Sequence, residues 1–149
     1  MIERRRVCLA YSPGGHRAEL DRALQGIEFT DCFHVTFASG REPAGPRTYF
    51  IEHPRRSLRR TLRAFTDAWR VLRRERPEVV ISTGADVAVP VVLVAAAMGC
   101  TTVFVETGGT IDASLSGRLT YPFVDLFIIQ WPEKLAAFPR AVLADGLLL

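Results

Sequence analysis

Apolar positions along this chain fall into two alternating patterns. Short, nearly continuous apolar runs recur as "RVCLAYS", "CFHVTFAS", "RTYFIEH", "EVVIST", "TTVFVET", "DLFIIQW" and "AVLADG". Runs of this length without polar alternation suit strands buried on both faces. Between most of them the spacing becomes helical. "HRAELDRALQGI" offers Ala18, Leu20, Ala23, Leu24 and Ile27 for packing. In "SLRRTLRAFTDAWRVLRRERP", Leu58, Leu62, Phe65, Trp69 and Leu72 recur every three or four residues. That spacing predicts one apolar stripe with arginines on the other side, Ser57 as N-cap and Pro77 as the stop. "DVAVPVVLVAAAMG" predicts a largely buried helix, "SLSGRLTYPFV" a helical segment and "PEKLAAF" a short helix, while "GREPAGP" reads as a loop. Repeated strand–helix units indicate an α/β fold with a mostly parallel sheet covered on both faces, here a single Rossmann-like domain over residues 1–149.

Composition agrees. A chain of 149 residues with 48% apolar and 23% charged residues has the length and balance of one globular domain, not of a disordered segment. Cys8, Cys32 and Cys100 are widely spaced, lack metal-ligand spacing and form no closed disulfide set, so they read as buried thiols in a reducing compartment. The apolar stretch "VAVPVVLVAAAMG" is too short to span a bilayer and contains Pro90, and "SPGGH" interrupts any signal-peptide reading of the N-terminus. Charge is unevenly spread. Residues 55–76 carry nine arginines against Asp67 and Glu75, a balance of +7, whereas residues 77–149 carry −4.

In open parallel sheets ligands bind beyond the carboxyl ends of the strands. Those ends carry "SPGGH", "STGAD" and "ETGGT", three small polar loops expected to converge on one rim. Their glycines leave room for a ligand, and helix N-termini behind them offer N–H groups. The common nucleotide signatures G-x-G-x-x-G and G-x-x-x-x-G-K-[ST] are missing, as are G-x-S-x-G and a D-x-D metal pair. No metal site is expected. The basic segment lacks the interleaved aromatics of single-strand binders, which disfavours nucleic acid.

"SPGGHRAEL", "VVISTGADVAVPVVLVAAAMG", "VFVET" and "SLSGRLTYPFVDLFIIQWPEKLAAFPRAVLADGLLL", in that order, resemble the Alg14 family, which includes the bacterial exopolysaccharide and capsule proteins called PssD, CpsF or EpsE. The resemblance runs from about residue 5 to the C-terminus. It implies the N-terminal half of a GT-B, MurG-like glycosyltransferase of the inverting type, working in polysaccharide biosynthesis. In such systems a separate subunit of the Alg13, PssE or CpsG kind binds most of the UDP-sugar donor, so this chain is expected to need no cofactor. It is expected to bind a polyprenyl-diphosphate-linked saccharide acceptor and to recruit that partner as a heterodimer. It would lie peripherally at the cytoplasmic face of the cell membrane and be inactive alone. The presence of one Rossmann-like unit, with the chain ending where a second would begin, agrees. One departure is Thr110, where relatives usually carry an arginine after the glutamate of "ET".

Candidate residues follow from the rim and the resemblance. His16 and Glu106 are the candidate catalytic groups: an imidazole titrates near neutrality, and a carboxylate at the end of an apolar strand is costly unless used or paired. His16 could instead cap a helix, and Glu106 could make a structural hydrogen bond. Gly14, Gly15, Glu19, Thr83, Gly84, Gly108 and Ser114 are candidate acceptor contacts, with Glu19 alternatively a solvated or capping residue. Arg59, Arg63, Trp69 and Arg70 are candidates for a membrane surface, against a merely solvated helix face. Gln130, Trp131, Leu147 and Leu148 are assigned to a partner interface, with simple packing the alternative for Trp131. Two rival functions remain: a non-catalytic scaffold that stabilises its partner, and a free-standing nucleotide-binding protein.

Overall fold

The computed structural model describes residues 1–38 and 47–145. All seven apolar runs become strands of one parallel sheet. They are β2 (Val7–Ala10), β4 (Cys32–Thr36), β5 (Thr48–Phe50), β6 (Val79–Ser82), β7 (Thr101–Val105), β8 (Leu126–Ile129) and β9 (Val142–Leu143), in spatial order β5-β4-β2-β6-β7-β8-β9. A two-stranded parallel ribbon of β1 (Ile2–Glu3) and β3 (Glu28–Phe29) lies outside that sheet. Among the described residues four α-helices accompany the strands: α1 (Gly15–Ala23), α2 (Leu58–Glu75), α3 (Ala88–Ala97) and α4 (Leu115–Thr120). The expected helix at "PEKLAAF" is a 3-10 turn, Pro132–Ala136.

Strand alternation decides what each face carries. Cys8 and Ala10 of β2 pack with Ala68 and Leu72 of α2 and Val91 and Ala95 of α3. Val7 and Leu9 turn the other way, onto Leu20 of α1. The second half of the sheet rests on an aromatic core of Phe104, Phe127 and Phe138, with Phe104 and Phe127 stacked at 5.0 Å. That stack anchors the end of β7, where Glu106 emerges.

Packing divides the stripe predicted for α2, burying its Leu72, half-burying Phe65 and leaving the rest exposed. The buried face is Ala64, Ala68 and Leu72, while Leu58, Leu62 and Trp69 are 78%, 61% and 45% exposed. α2 lies against α3 through small side chains, which lets the helices approach closely. The bulky row, next around the helix, is thereby left outside the contact.

Topology places the site. From β2 the chain runs through β4 to β5 at one edge, then crosses back to β6 and continues through β7 and β8 to β9 at the other. The direction reverses between β2 and β6. A crevice opens at such a reversal, outside the carboxyl ends of the strands. The loops leaving β2 and β6 are "SPGGH" and "STGAD", and the loop leaving the adjacent β7 is "ETGGT".

Candidate functional site

Gly14, the N-cap of α1, has φ +90°. A side chain is disfavoured there, so glycine permits the sharp entry into the helix. Gly15 is already helical, and a Cβ built on it meets nothing within 4 Å. The positive φ therefore belongs to the first glycine, and the second only keeps space open. Immediately after it, His16 is brought to the rim.

Three loops are knotted together around His16. Its Nδ1 lies 3.0 Å from the Thr83 carbonyl oxygen, and Thr83 Oγ1 donates back to the His16 carbonyl at 2.7 Å. The same Nδ1 is 3.3 Å from Glu19 Oε2. Glu19 is only 5% exposed, and its Oε1 accepts from Thr107 Oγ1 at 3.0 Å and from the Gly108 N–H at 2.9 Å. The loops after β2, β6 and β7 thus converge on one rim, as the sequence predicts.

Electrostatics follow from this arrangement. The Glu19 carboxylate raises the His16 imidazole above its ordinary 6.5, outweighing the opposing effect of burial. Burial by itself would raise Glu19, yet His16, the Gly108 N–H and the Thr107 hydroxyl together hold it below its ordinary 4.5. An imidazole with a raised pKa beside a carboxylate, open to a crevice, is an arrangement suited to proton transfer.

His16 opens on a cleft of about 130 Å³ lined also by Thr83, Gly84, Ala85, Thr107, Ser114 and Ser116. A second cleft of about 290 Å³ adjoins it, sharing His16 and Thr107 and adding Gly15, Glu19 and Gly109. Four hydroxyl-bearing residues, Thr83, Thr107, Ser114 and Ser116, line the first cleft, and the second is framed by glycines around His16, Glu19 and Thr107. Thr107, Ala85 and Ser116 were not singled out by the sequence. The first two lie within the recognised loops and show only a small side chain as a signal.

Glu106 sits under the cleft and does not line it. Its side chain is 0% exposed, as is that of Lys134, whose Nζ donates to Glu106 Oε1 at 3.1 Å and to the Thr107 carbonyl at 2.6 Å. Ser114 completes the set: its N–H donates to Oε1 at 2.9 Å and its hydroxyl to Oε2 at 2.8 Å. The Ser114 hydroxyl also accepts from the Gly117 N–H at the start of α4. A Cβ on Gly117 would collide with the Glu106 carboxylate. The expectation that Glu106 takes an acceptor proton is therefore corrected, since protein groups occupy the carboxylate and close it off from the cleft. Lys134, the sole lysine of the chain, was missed as a site residue; its singularity in an arginine-rich sequence was the available signal.

The pair assigned to a partner interface also faces inward. Gln130 is 4% exposed, and its side-chain amide donates to the Glu106 carbonyl at 2.9 Å. Its amide packs so closely under Gly108 that a Cβ there would collide with it. The half-buried Trp131 donates its indole N–H to the Gly108 carbonyl at 2.7 Å. Both residues brace the loop after β7, which corrects the assignment of buried Gln130 to an external surface and gives half-buried Trp131 the packing role that was its alternative. Leu147 and Leu148 lie outside the described residues.

Arg59, Arg63, Trp69 and Arg70 are all exposed on α2, and the Arg73 guanidinium lies 4.9 Å from the Trp69 ring centre. Among the described residues no helix is long and apolar enough to cross a membrane, and no group of three His, Cys, Asp or Glu is placed to hold a metal ion.

A family model described as "Oligosaccharide biosynthesis protein Alg14 like" matches residues 51–147. The UDP-N-acetylglucosamine transferase subunit ALG14 of Eremothecium gossypii is 35% identical over 141 residues, which cover 85% of this chain and 57% of that protein. The UDP-N-acetylglucosamine--N-acetylmuramyl-(pentapeptide) pyrophosphoryl-undecaprenol N-acetylglucosamine transferase of Anaeromyxobacter dehalogenans is 41% identical over 85 residues, 56% of this chain and 22% of that one. Among solved structures, MurG of Acinetobacter baumannii superposes with a TM-score of 0.71 at 16% identity, over 95% of this chain and 44% of its own. A UDP-N-acetylglucosamine 2-epimerase of Rickettsia bellii gives 0.72 at 10% identity, over 91% and 41%. These two structures establish a shared Rossmann-like fold. The chain spans 57% and 22% of the length of the two sequence relatives and under half of each solved chain.

Proposed function

The chain belongs to the Alg14-like family of oligosaccharide biosynthesis proteins, and on that premise we propose that it is the acceptor-side subunit of a two-chain inverting glycosyltransferase of polysaccharide assembly. The cleft at His16 carries this reading. It lies where the strand order reverses, its lining is rich in hydroxyls, and its imidazole is held by the Thr83 carbonyl of the loop after β6 and by Glu19 of α1. A saccharide linked through a diphosphate to a polyprenyl chain is the acceptor class that we assign to it. The UDP-sugar comes from a second subunit of the Alg13, PssE or CpsG kind. His16 takes the acceptor hydroxyl's proton as that oxygen attacks the anomeric carbon, while Glu106 and Lys134 hold the loop beneath. General-base catalysis of this type contributes roughly 10²–10⁴ in rate.

The exposed row on α2 supports attachment to the inner face of the membrane. Leu58, Leu62 and Trp69 offer apolar contact, and Arg59, Arg63 and Arg70 stand beside them. The relative from Eremothecium is named as a subunit of a UDP-N-acetylglucosamine transferase. N-acetylglucosamine is accordingly the first donor sugar to test.

Binding by this chain alone tests the assignment. Detergent-solubilised polyprenyl-diphosphate saccharide should be retained by it, and UDP-N-acetylglucosamine should not. Gly15→Val should abolish acceptor binding while leaving the unfolding transition in place, because the new side chain enters open space in the cleft. Retention of the nucleotide sugar in place of the lipid would reverse the roles and favour a free-standing nucleotide-binding protein.

A further inference from the structure

Glu19 Oε2 is buried and has no hydrogen-bond donor of conventional geometry. A buried carboxylate oxygen left in that state costs free energy unless a cation or N–H compensates it. The group that faces it is His16 Nδ1, 3.3 Å away. That nitrogen also faces the Thr83 carbonyl oxygen at 3.0 Å, which can only accept. Two acceptors converging on one ring nitrogen require it to carry hydrogen, since a bare Nδ1 would set its lone pair against both. In the neutral imidazole the free lone pair then belongs to Nε2.

We propose that Glu19 is the positioning residue for His16. It fixes the Nδ1–H tautomer and the ring orientation, and it stabilises the imidazolium formed when Nε2 accepts a proton. This rests on the acceptor-side reading above. In the transfer step, the acceptor O–H proton moves to Nε2 while Nδ1 keeps its own. The acceptor oxygen bonds to the anomeric carbon of the UDP-sugar, and the bond to the departing nucleoside diphosphate breaks. The positive charge gained by the ring is balanced by Glu19. The other nearby ionisable groups are Glu106 and Lys134, which are committed to each other beneath the loop. Glu19 is itself held in place by Thr107 Oγ1 and the Gly108 N–H, so the orienting carboxylate and the loop it braces form one rigid unit.

The test is ¹⁵N NMR of the histidine rings in the full chain, with His16 assigned by loss of its signals in His16→Gln. The wild type should show neutral His16 protonated on Nδ1 and titrating above 6.5. Glu19→Gln retains an oxygen for Thr107 and Gly108 but removes the charge. It should weaken proton binding by His16 about tenfold, with partial recovery in Glu19→Asp. In the reconstituted two-chain enzyme Glu19→Gln should lower kcat by about 10² with little change in acceptor KM, and move the acid limb of the pH profile to lower pH. A neutral wild-type His16 protonated on Nε2 overturns the proposal, as does unchanged titration in folded Glu19→Gln. If the wild-type pair transfers no sugar, the functional reading falls, while the NMR outcome still decides the role of Glu19.

Discussion

Two carboxylates flank the loop after β7, and their surroundings give them different work. Glu19 reaches the edge of the cleft and faces His16, whereas Glu106 is sealed beneath it with Lys134 and Ser114. Removing one partner of a buried ion pair leaves an uncompensated charge, at a cost of about 3–5 kcal/mol. Lys134→Met should therefore lower stability toward urea by about 3 kcal/mol, the low end because Ser114 still donates twice to Glu106. Adding Glu106→Gln should recover much of the loss. The His16–Glu19 pair makes a pH-dependent contribution with a definite sign. His16 is raised, so its contribution is complete below 6.5 and is lost as pH climbs through its folded pKa. Glu19 is lowered, so its contribution is complete above 4.5 and is lost as pH falls through its own folded value. The stability difference between wild type and Glu19→Gln should peak between those limits and shrink on either side in a pH series of denaturation curves. Sequence made Glu106 visible as a charge at the end of an apolar strand, whereas Glu19, one turn into the first helix, stood out only by its place after the glycine loop and by the family resemblance. Sequence did not identify Lys134 as the partner of Glu106, because the two are 28 residues apart and meet only through the turn after β8.

At the scale of elements, α2 separates what periodicity reveals from what packing decides. With about 100° between successive residues, Leu58, Leu62 and Trp69 fall within about 40° of one another, and Arg59, Arg63 and Arg70 lie about a quarter to a third of a turn further round. Spacing identified the row. It could not say whether that row or the adjacent alanine row meets α3, because both repeat with helical period. Close approach of the backbones selects the alanines. Ala68→Leu should consequently overpack the contact and cost about 1–3 kcal/mol. Leu62→Ser and Trp69→Ser, on the exposed row, should change stability by less than about 0.5 kcal/mol. The same serine variants should weaken sedimentation with anionic vesicles. Each arginine near such a surface contributes about 1 kcal/mol, screened by salt. Wild-type recovery should thus fall between low and high salt, and equal recovery on neutral vesicles at every salt concentration would exclude this mode of attachment. The long strands were legible because each is a continuous apolar run. β1 and β3 were not, since two residues each carry no pattern and their pairing rests on backbone bonds across the fold, from the Glu28 N–H to the Met1 carbonyl and from the Thr30 N–H to the Glu3 carbonyl.

At the scale of the whole molecule, the reversal of strand order between β2 and β6 gathers chemistry that is dispersed in sequence. The loops that meet there were legible as small, glycine-containing breaks after apolar strands, and the parallel sheet followed from the alternation of strands and helices. Their internal bonding was not legible. His16 to Thr83 and Glu19 to Gly108 are contacts across the fold, with separations of 67 and 89 residues. On the proposed reading this knot holds an acceptor, and a second chain brings the activated sugar to it. Holding two reactants in reacting geometry lowers the barrier by roughly 7–11 kcal/mol in well-oriented cases, so neither half should be productive without the other. The most direct test is transfer of radiolabelled sugar from its UDP donor to polyprenyl-diphosphate acceptor by this chain, by its purified partner, by their mixture, and by a mixture carrying His16→Ala. The account predicts transfer by the wild-type mixture only, with the His16→Ala pair assembling normally and losing at least about 10² in rate. Robust transfer by the partner alone, or by an assembled His16→Ala pair, would contradict it and leave this chain a scaffold.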